Sequence, residues 1–326
     1  MLRSEGINEN GEIKFTDVAM AMGADDISDA KGFVAADFDH DGDLDLLLTG
    51  QSKTHLFAND GSGDLSDITN KAGLPPELTF DQVVFSDFDN DRDEVIKKAI
   101  EIGINHFFIP SIDSKHHNRM FDLKKKFPNY IYLMMGLHPN YVEENFEEEL
   151  AIVEDLLSKS KFHAIGEIGI DLFREKKYLV QQQRAFEKQI ILAKSYNLPI
   201  VIHCRDAFDE VLEIMEQHKE DNLTGIFHCF TADINYAQRA IDSNFKLGIG
   251  GVVTFKNNDL EKVLKNIPIE NIVLETDSPY LAPVPYRGKR NESSYLKNIV
   301  LKLSDIYNIS EEEVANITTK NALSVF

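Results

Sequence analysis

A chain of 326 residues can bury a barrel-sized core and still carry a small extra module. Hydrophobic residues make up 43% and charged residues 27%, the range of globular chains in water, and no apolar run nears the roughly 20 residues that cross a bilayer, so a helical membrane protein is excluded. The formal net charge of −21 is unevenly spread: residues 1–92 hold 20 acidic and 6 basic side chains, the remainder 35 and 28. The larger part is thus only mildly acidic and lacks a basic nucleic-acid footprint, and a phosphate-bearing substrate must be drawn by metal ions and local arginines.

The amino terminus, MLRSEGINENGEIKF, has neither the basic start nor the apolar stretch of a secretory signal, which predicts a cytoplasmic location. Both cysteines, Cys204 and Cys229, directly follow a histidine of interest. That placement argues against a disulfide framework and for a reducing compartment. Strand alternation would point each cysteine away from its histidine's face, as small core filler.

Residues 1–86 are rich in Asp, Gly, Ser and Asn, with short apolar stretches such as GFVAADF and LDLLLTG, and are predicted to form strands and turns. Within them Asp37, Asp39, Asp41, Asp43 and Asp45 alternate around Gly42, the pattern that offers calcium several oxygens at once. An EF-hand would place Glu at the twelfth position, where Leu48 stands, and its flanks would be helical rather than strand-like. Over residues 30–75 the segment instead resembles an FG-GAP or VCBS repeat, the calcium-loop blade of integrin-like propellers. That resemblance implies an extracellular setting if a leader has been lost. A single blade cannot close a propeller, so residues 1–80 are expected to be marginally stable or to dock on the larger unit. A second acidic run, Asp87, Asp89, Asp91 and Asp93, has Arg92 in place of the glycine and Val95 in place of the last acid. It reads more readily as an acidic helix cap.

Residues 87–326 switch to helix-length amphipathic segments alternating with apolar strands. Strands are predicted near 104–110, 130–137, 162–169, 199–204, 224–229, 245–251 and 271–276. Helices are predicted over DRDEVIKKAIEIG, VEENFEEELAIVEDLLSKS and VQQQRAFEKQIILAKSYN, and over the tail from Ser310, where Ser-x-x-Glu is a capping pattern. The fold class expected is α/β, a TIM-type (β/α)8 barrel one strand short, preceded by the small β-rich blade-like segment. The β-rich stretch DQVVFSDF at 81–88 could fill the vacant first place and turn Asp87 or Asp89 toward the cavity.

A parallel strand covered by helices is apolar along its length, so an imidazole or carboxylate stands out where the strand emerges at its carboxyl end. Four such exits carry Glu167, His203, His228 and Asp277, and together they predict one metallohydrolase site. Glu167, His203 and His228 alone are the composition of a single catalytic zinc. Arg205 could grip a phosphate in bidentate fashion or pair with Asp206. Arg287, Lys289 and Arg290 lie in a late loop, either on phosphate or in solvent. His138 of GLHP either positions substrate or bonds the backbone.

The run FDNDRDEVI, IPSID, GLHP, GEIGID, HCRDA, FHCF and ETDSPYLAPVPYRGKRNE, spread from about Phe88 to Phe326, resembles the TatD family of metal-dependent deoxyribonucleases. The resemblance implies a hydrolase acting on DNA phosphodiesters, as an exonuclease, with divalent zinc, magnesium or manganese. It further implies that Glu167 bridges two ions, that His203 and His228 hold the second, and that Asp277 holds the first and orients the attacking water. Tyr280, Asn291 and Glu292 become loop anchors. Relatives open with a first strand ending in His-x-His, and this sequence has no such pair: its adjacent His116 and His117 point apart. A join between a propeller gene and a TatD gene at FDNDRDEV accounts for the loss and implies weakened activity. The alternatives are a non-catalytic fusion with one ion or none, and a calcium-dependent binding module. No membrane or protein partner is indicated.

Overall fold

The computed structural model describes residues 91–173, 176–218, 223–256 and 258–326 in full, together with the strands ahead of them. Two units emerge, Met1–Arg92 and Asp93–Phe326. In the first, β1 (Leu2–Ile7) and β2 (Ile13–Asp17) pair antiparallel. A separate sheet holds β3 (Ala30–Ala36), β4 (Asp45–Gly50), β5 (Thr54–Asn59) and β6 (Leu65–Asp67), each antiparallel to its sequence neighbour. Ala36 stands opposite Asp45 in the β3–β4 pairing, so strands rather than helices flank the first acidic run, and an EF-hand is excluded. Asp37, Asp39, Asp41 and Asp43, the side chain of Asp45, Asp87, Asp89 and the segment 81–88 considered for the vacant strand lie outside the described residues.

The second unit alternates as its hydrophobic pattern requires: α1 (Arg92–Glu101), β7 (Phe107–Ile109), α2 (His117–Lys126), β8 (Ile131–Met135), α3 (Phe146–Lys159), β9 (Ala164–Asp171), α4 (Leu179–Tyr196), β10 (Ile200–Arg205), α5 (Phe208–Gln217), β11 (Gly225–Phe227), α6 (Ile234–Asp242), β12 (Phe245–Ile249), α7 (Leu260–Leu264), β13 (Ile272–Leu274), α8 (Leu296–Tyr307) and α9 (Glu311–Leu323). All seven predicted strands form, and they lie side by side in chain order from β7 to β13, every pairing parallel. Parallel neighbours need a crossover, and the intervening helices supply it. Asp93 and Glu94 occupy the first turn of α1 and Val95 is buried on its inner face, so residues 93–95 are the acidic helix start rather than a second ion loop. Asp93 also ion-pairs with Lys126 of α2.

Ile131, Leu133 and Met135 of β8, Ile165, Ile168 and Ile170 of β9, Ile200 and Ile202 of β10, Leu247, Ile249 and Ile272 belong to one continuous core with the inner helix faces. At roughly 1.5–3 kcal/mol for each large aliphatic side chain taken from water, this burial dominates the unit's stability. The last helix starts on a reciprocal cap: Ser310 Oγ accepts the Glu313 N–H, and the Glu313 carboxylate accepts the Ser310 N–H. Among the described residues, no helix is long and apolar enough to cross a membrane.

Two local features shape the end of the sheet where the strands emerge. Gly169 of β9 has φ +141, and a Cβ there would fall 2.0 Å from the His203 carbonyl oxygen, so only glycine lets β9 and β10 run this close. Between the pairs Gly166 with Val201 and Ile168 with Ile202, β9 contains one extra residue, Glu167. Such a bulge re-aims a side chain. Here it leaves the isoleucines on both sides in the core while Glu167 turns to the cavity.

Candidate metal centre

Glu167 at the bulge within β9, His203 within β10, His228 just beyond β11 and Asp277 three residues beyond β13 come together. Glu167 is at the centre. Its Oε2 lies 3.9 Å from His203 Nδ1 and 3.5 Å from His138 Nε2, and its Oε1 lies 3.9 Å from His228 Nε2. Asp277 Oδ1 lies 3.6 Å from that same His228 nitrogen. All remain partly reachable by solvent, with side-chain exposures of 14% for Glu167, 17% for His203 and 27% for Asp277. The two carboxylate oxygens of Glu167 thus face different imidazoles, His203 through Oε2 and His228 through Oε1.

Each of these two imidazoles is oriented from behind. His203 Nε2–H donates to Asp171 Oδ2 at 2.9 Å, and His228 Nδ1–H donates to Glu275 Oε2 at 2.9 Å. With those far nitrogens engaged, His203 Nδ1 and His228 Nε2 are the nitrogens turned toward Glu167, and each offers a lone pair once its ring is neutral, the state a metal ligand requires. Carboxylate-backed histidine is the usual arrangement of a metal ligand. Asp171 and Glu275 are themselves pinned: Asp171 Oδ1 accepts the Phe173 N–H at 2.9 Å, and Glu275 Oε1 accepts the Cys229 N–H at 2.7 Å. Neither residue was singled out from sequence, although GEIGID and ETDSPY contain them. A carboxylate four residues after Glu167 on the same exit, and another two before Asp277, were the available signals.

Helix α4 sets two of the exits. Gln182 accepts the Asp171 N–H at 2.9 Å and donates to its carbonyl at 3.2 Å, and Gln189 does the same for Leu137 at 2.7 and 3.2 Å. Seven residues apart, the two glutamines share one helix face. On the other side Ser111 accepts the Glu167 N–H and donates its own N–H to Gly166, while its hydroxyl meets His117 Nε2 at 3.0 Å. His116 bonds Asp113 instead, so the adjacent histidines do point apart.

Charge is crowded here. Burial opposes ionisation of Glu167, but His228, His138 and His203 outweigh it and hold the carboxyl well below the usual range. Burial, reinforced by Glu167 and Glu275 and opposed by His228, pushes Asp277 up to about 7. Burial works against a charge on His228, yet Glu167, Glu275 and Asp277 raise it well above the ordinary imidazole value. Burial and His138 keep His203 low, against the pull of Asp171. Burial is outweighed at Asp171 by the His203 bond, which brings that carboxyl down to about 2. Two inward-facing imidazole nitrogens and two mutually repelling carboxylates are a donor set that fits a divalent cation, which would take the place of the extra proton the carboxylates hold on His228.

Both thiols are pushed up by burial, Cys229 further so by Glu275, Asp277 and Glu167, and stay protonated. Cys229 is not on a strand, because β11 ends at Phe227. It sits in a left-handed turn at φ 46. Asp206, Asp277 and Leu281 share that conformation in neighbouring exit loops, whereas Asn197, Asn244 and Asn308 close helices or turns, where Asn is ordinary. Strained non-glycine backbone thus gathers at the cavity rim.

Arg205 is exposed and lies over the Phe173 ring at 3.6 Å rather than against Asp206, and Arg287 lies over Phe255 at 3.7 Å. Asn291 is fully buried and donates to the carbonyls of Thr276 and Tyr280. It is the anchor of the last loop. Tyr280 is 47% exposed, and its carbonyl is one of the two that Asn291 holds. Glu292 pairs with Lys98 at 2.6 Å and with Arg290 at 3.5 Å.

A strand-end cluster of oriented histidines and carboxylates on a parallel TIM-type sheet defines a metal-dependent hydrolase. Residues 82–326 match the family model of the TatD related DNase, and the chain belongs to that family. YabD of Bacillus subtilis, an uncharacterized metal-dependent hydrolase, is 38% identical over 240 residues, covering 73% of this chain and 94% of that protein. The 3'-5' ssDNA/RNA exonuclease TatD of Pantoea vagans is 30% identical over 248 residues, covering 73% and 94%. The solved structure of the TatD homologue YjjV from Escherichia coli K12 shares the fold, with a TM-score of 0.70 at 24% identity over 74% of this chain and 95% of that one. Residues 37–94 match the FG-GAP-like repeat. The two matches overlap over 82–94, the stretch that reads both as an ion loop and as the run into the first helix.

Proposed function

We propose that the second unit hydrolyses phosphodiester bonds of DNA, removing nucleotides from a strand end as an exonuclease, with zinc, magnesium or manganese held by Glu167, His203, His228 and Asp277. The observation that carries this reading is the pair of carboxylate-backed imidazoles whose inward nitrogens face Glu167. Bound there, a divalent ion supplies Lewis acidity and a water of lowered pKa. Asp277, 3.6 Å from His228, would accept a proton from the attacking water at a carboxylate oxygen. The water oxygen bonds to phosphorus as the phosphorus–oxygen bond to the leaving sugar breaks, and the leaving oxygen is protonated from solvent. Arg205 at the rim offers its guanidinium to a neighbouring phosphate while Phe173 beneath it offers a ring face to a base.

Purified protein supplied with each metal in turn is expected to shorten end-labelled single-stranded DNA, and Asp277→Ala is expected to be inert. Equal rates for the two proteins would remove the claim.

A second reading, a weakened or non-catalytic fusion, is favoured by the absence of any His-x-His pair from the sequence. Grafting a first strand that ends in such a pair should raise turnover by orders of magnitude, and unchanged turnover would reject this reading. For the front unit we propose calcium binding by Asp37, Asp39, Asp41, Asp43 and Asp45, supported by the FG-GAP-like match and the strand-flanked acidic run. Calcium should raise the thermal stability of the wild type but not of Asp37→Ala. Indistinguishable titrations would dismiss it.

A further inference from the structure

By proximity alone His138 is a third imidazole ligand, since its ring nitrogen, a Glu167 oxygen and a His203 nitrogen all lie within 4.8 Å of one another. Its hydrogen bonding says otherwise. His138 caps the short turn Pro139–Tyr141, and its Nδ1 accepts the Asn140 backbone N–H at 3.1 Å. A neutral imidazole whose Nδ1 lone pair is in use carries its proton on Nε2. Nε2 is the nitrogen that faces Glu167, at 3.5 Å, so it presents a hydrogen and no lone pair. His203 and His228 are arranged the opposite way: each donates from its far nitrogen and leaves its near nitrogen for an ion in the cavity. A half-turn of the His138 ring would set a carbon against the Asn140 N–H and lose the cap.

The turn holds the ring in this state. The His138 N–H donates to the Ile112 carbonyl at 2.9 Å, its carbonyl accepts the Tyr141 N–H at 2.9 Å, and Leu137 before it is clamped by Gln189. We infer that His138 is not an ion ligand but a fixed Nε2–H donor, aimed at the place beside Glu167 where a non-bridging oxygen of a phosphoryl group sits during hydrolysis. This deepens the phosphodiesterase reading and rests on it for the identity of the oxygen. A preset donor gains most where negative charge grows in a water-poor cavity.

The test uses zinc-loaded full-length protein. Nitrogen-15 NMR of the imidazoles should show His138 with a protonated Nε2 and a bare Nδ1, and His203 and His228 as the metal-bound rings. Zinc on His138 Nε2 would overturn the inference. His138→Asn keeps an acceptor for the cap and takes away the Nε2–H, which its shorter amide does not replace at the same place. It should hold as much zinc per chain as the wild type, whereas His203→Asn should lose zinc. Inorganic phosphate, titrated calorimetrically, should bind His138→Asn about tenfold or more weakly, the scale of one hydrogen bond to a charged group. Loss of zinc from His138→Asn, equal phosphate binding by both proteins, or no phosphate binding by the wild type would each overturn it. Cleavage of DNA is read separately: a wild type that binds phosphate through His138 but shortens no DNA would remove the nuclease reading and leave the donor assignment standing.

Discussion

Glu275 holds His228 in one orientation from behind, accepting its Nδ1–H at 2.9 Å on one oxygen while the other takes the Cys229 N–H at 2.7 Å. One carboxylate thereby fixes both the ring and the turn that carries it. Removing the partner behind a ligating histidine generally costs about 10–100-fold in metal affinity. Glu275→Ala should therefore bind zinc about 10–100-fold more weakly with its circular dichroism unchanged. Unaltered affinity by competition against a chelator would show that His228 needs no such support.

Gly248 of β12 makes the room for that carboxylate. A Cβ at this position would come within 2.5 Å of Glu275 Oε2, the oxygen that bonds His228. Gly248→Ala must push the carboxylate aside, and it should lower zinc affinity in the same direction as Glu275→Ala. In the double variant the two effects should not add, because one contact is being lost twice. Additive losses would show that Gly248 acts through something else.

The pair of buried glutamines on α4 predicts a link between a helix interior and the rim. Gln189→Ala leaves the Leu137 N–H and carbonyl without their partner in a buried place, at a cost of about 1–3 kcal/mol. Urea unfolding of the metal-free protein should show a lower midpoint with an unchanged slope. A midpoint equal to that of the wild type would mean that water replaces the side chain.

His117 sets a pH dependence. Burial, opposed by Asp113 and Glu149, holds its imidazole below the ordinary value, so the unfolded chain takes up this proton first as pH falls. The stability contributed by neutral His117 is complete above an unfolded pKa of about 6.5 and is lost as pH drops from there toward the folded value, at up to about 1.4 kcal/mol per pH unit. His117→Gln removes this titration. Its stability relative to the wild type should improve between about pH 7.5 and pH 5.5, measured by urea unfolding. Parallel curves for the two proteins would contradict the assignment.

Much of the second unit was legible before any coordinates. All seven strands β7–β13 form where apolar runs predicted them, and the long helices agree with their amphipathic patterns to within a turn. The disagreements fall at strand exits. The run 224–229 is strand only to Phe227, because the next residues turn to place His228 against β10 and Cys229 on Glu275. Helix α3 begins at Phe146 rather than Val142, since the chain first spends Pro139–Tyr141 in the turn that His138 caps.

The sequence by itself determined the alternating strands and helices and singled out Glu167, His203, His228 and Asp277, because a polar side chain late in a buried apolar strand is conspicuous in one dimension. Tertiary structure decided what each of them can do. Asp171 lies 32 residues from His203, and Glu275 lies 47 from His228. The contacts that orient His203, His228 and His138 differently, and the bulge that turns Glu167 to the cavity, exist only once the strands from β9 to β13 are assembled in one sheet. Ring protonation is fixed by the neighbour a nitrogen meets, and that neighbour is supplied by the fold.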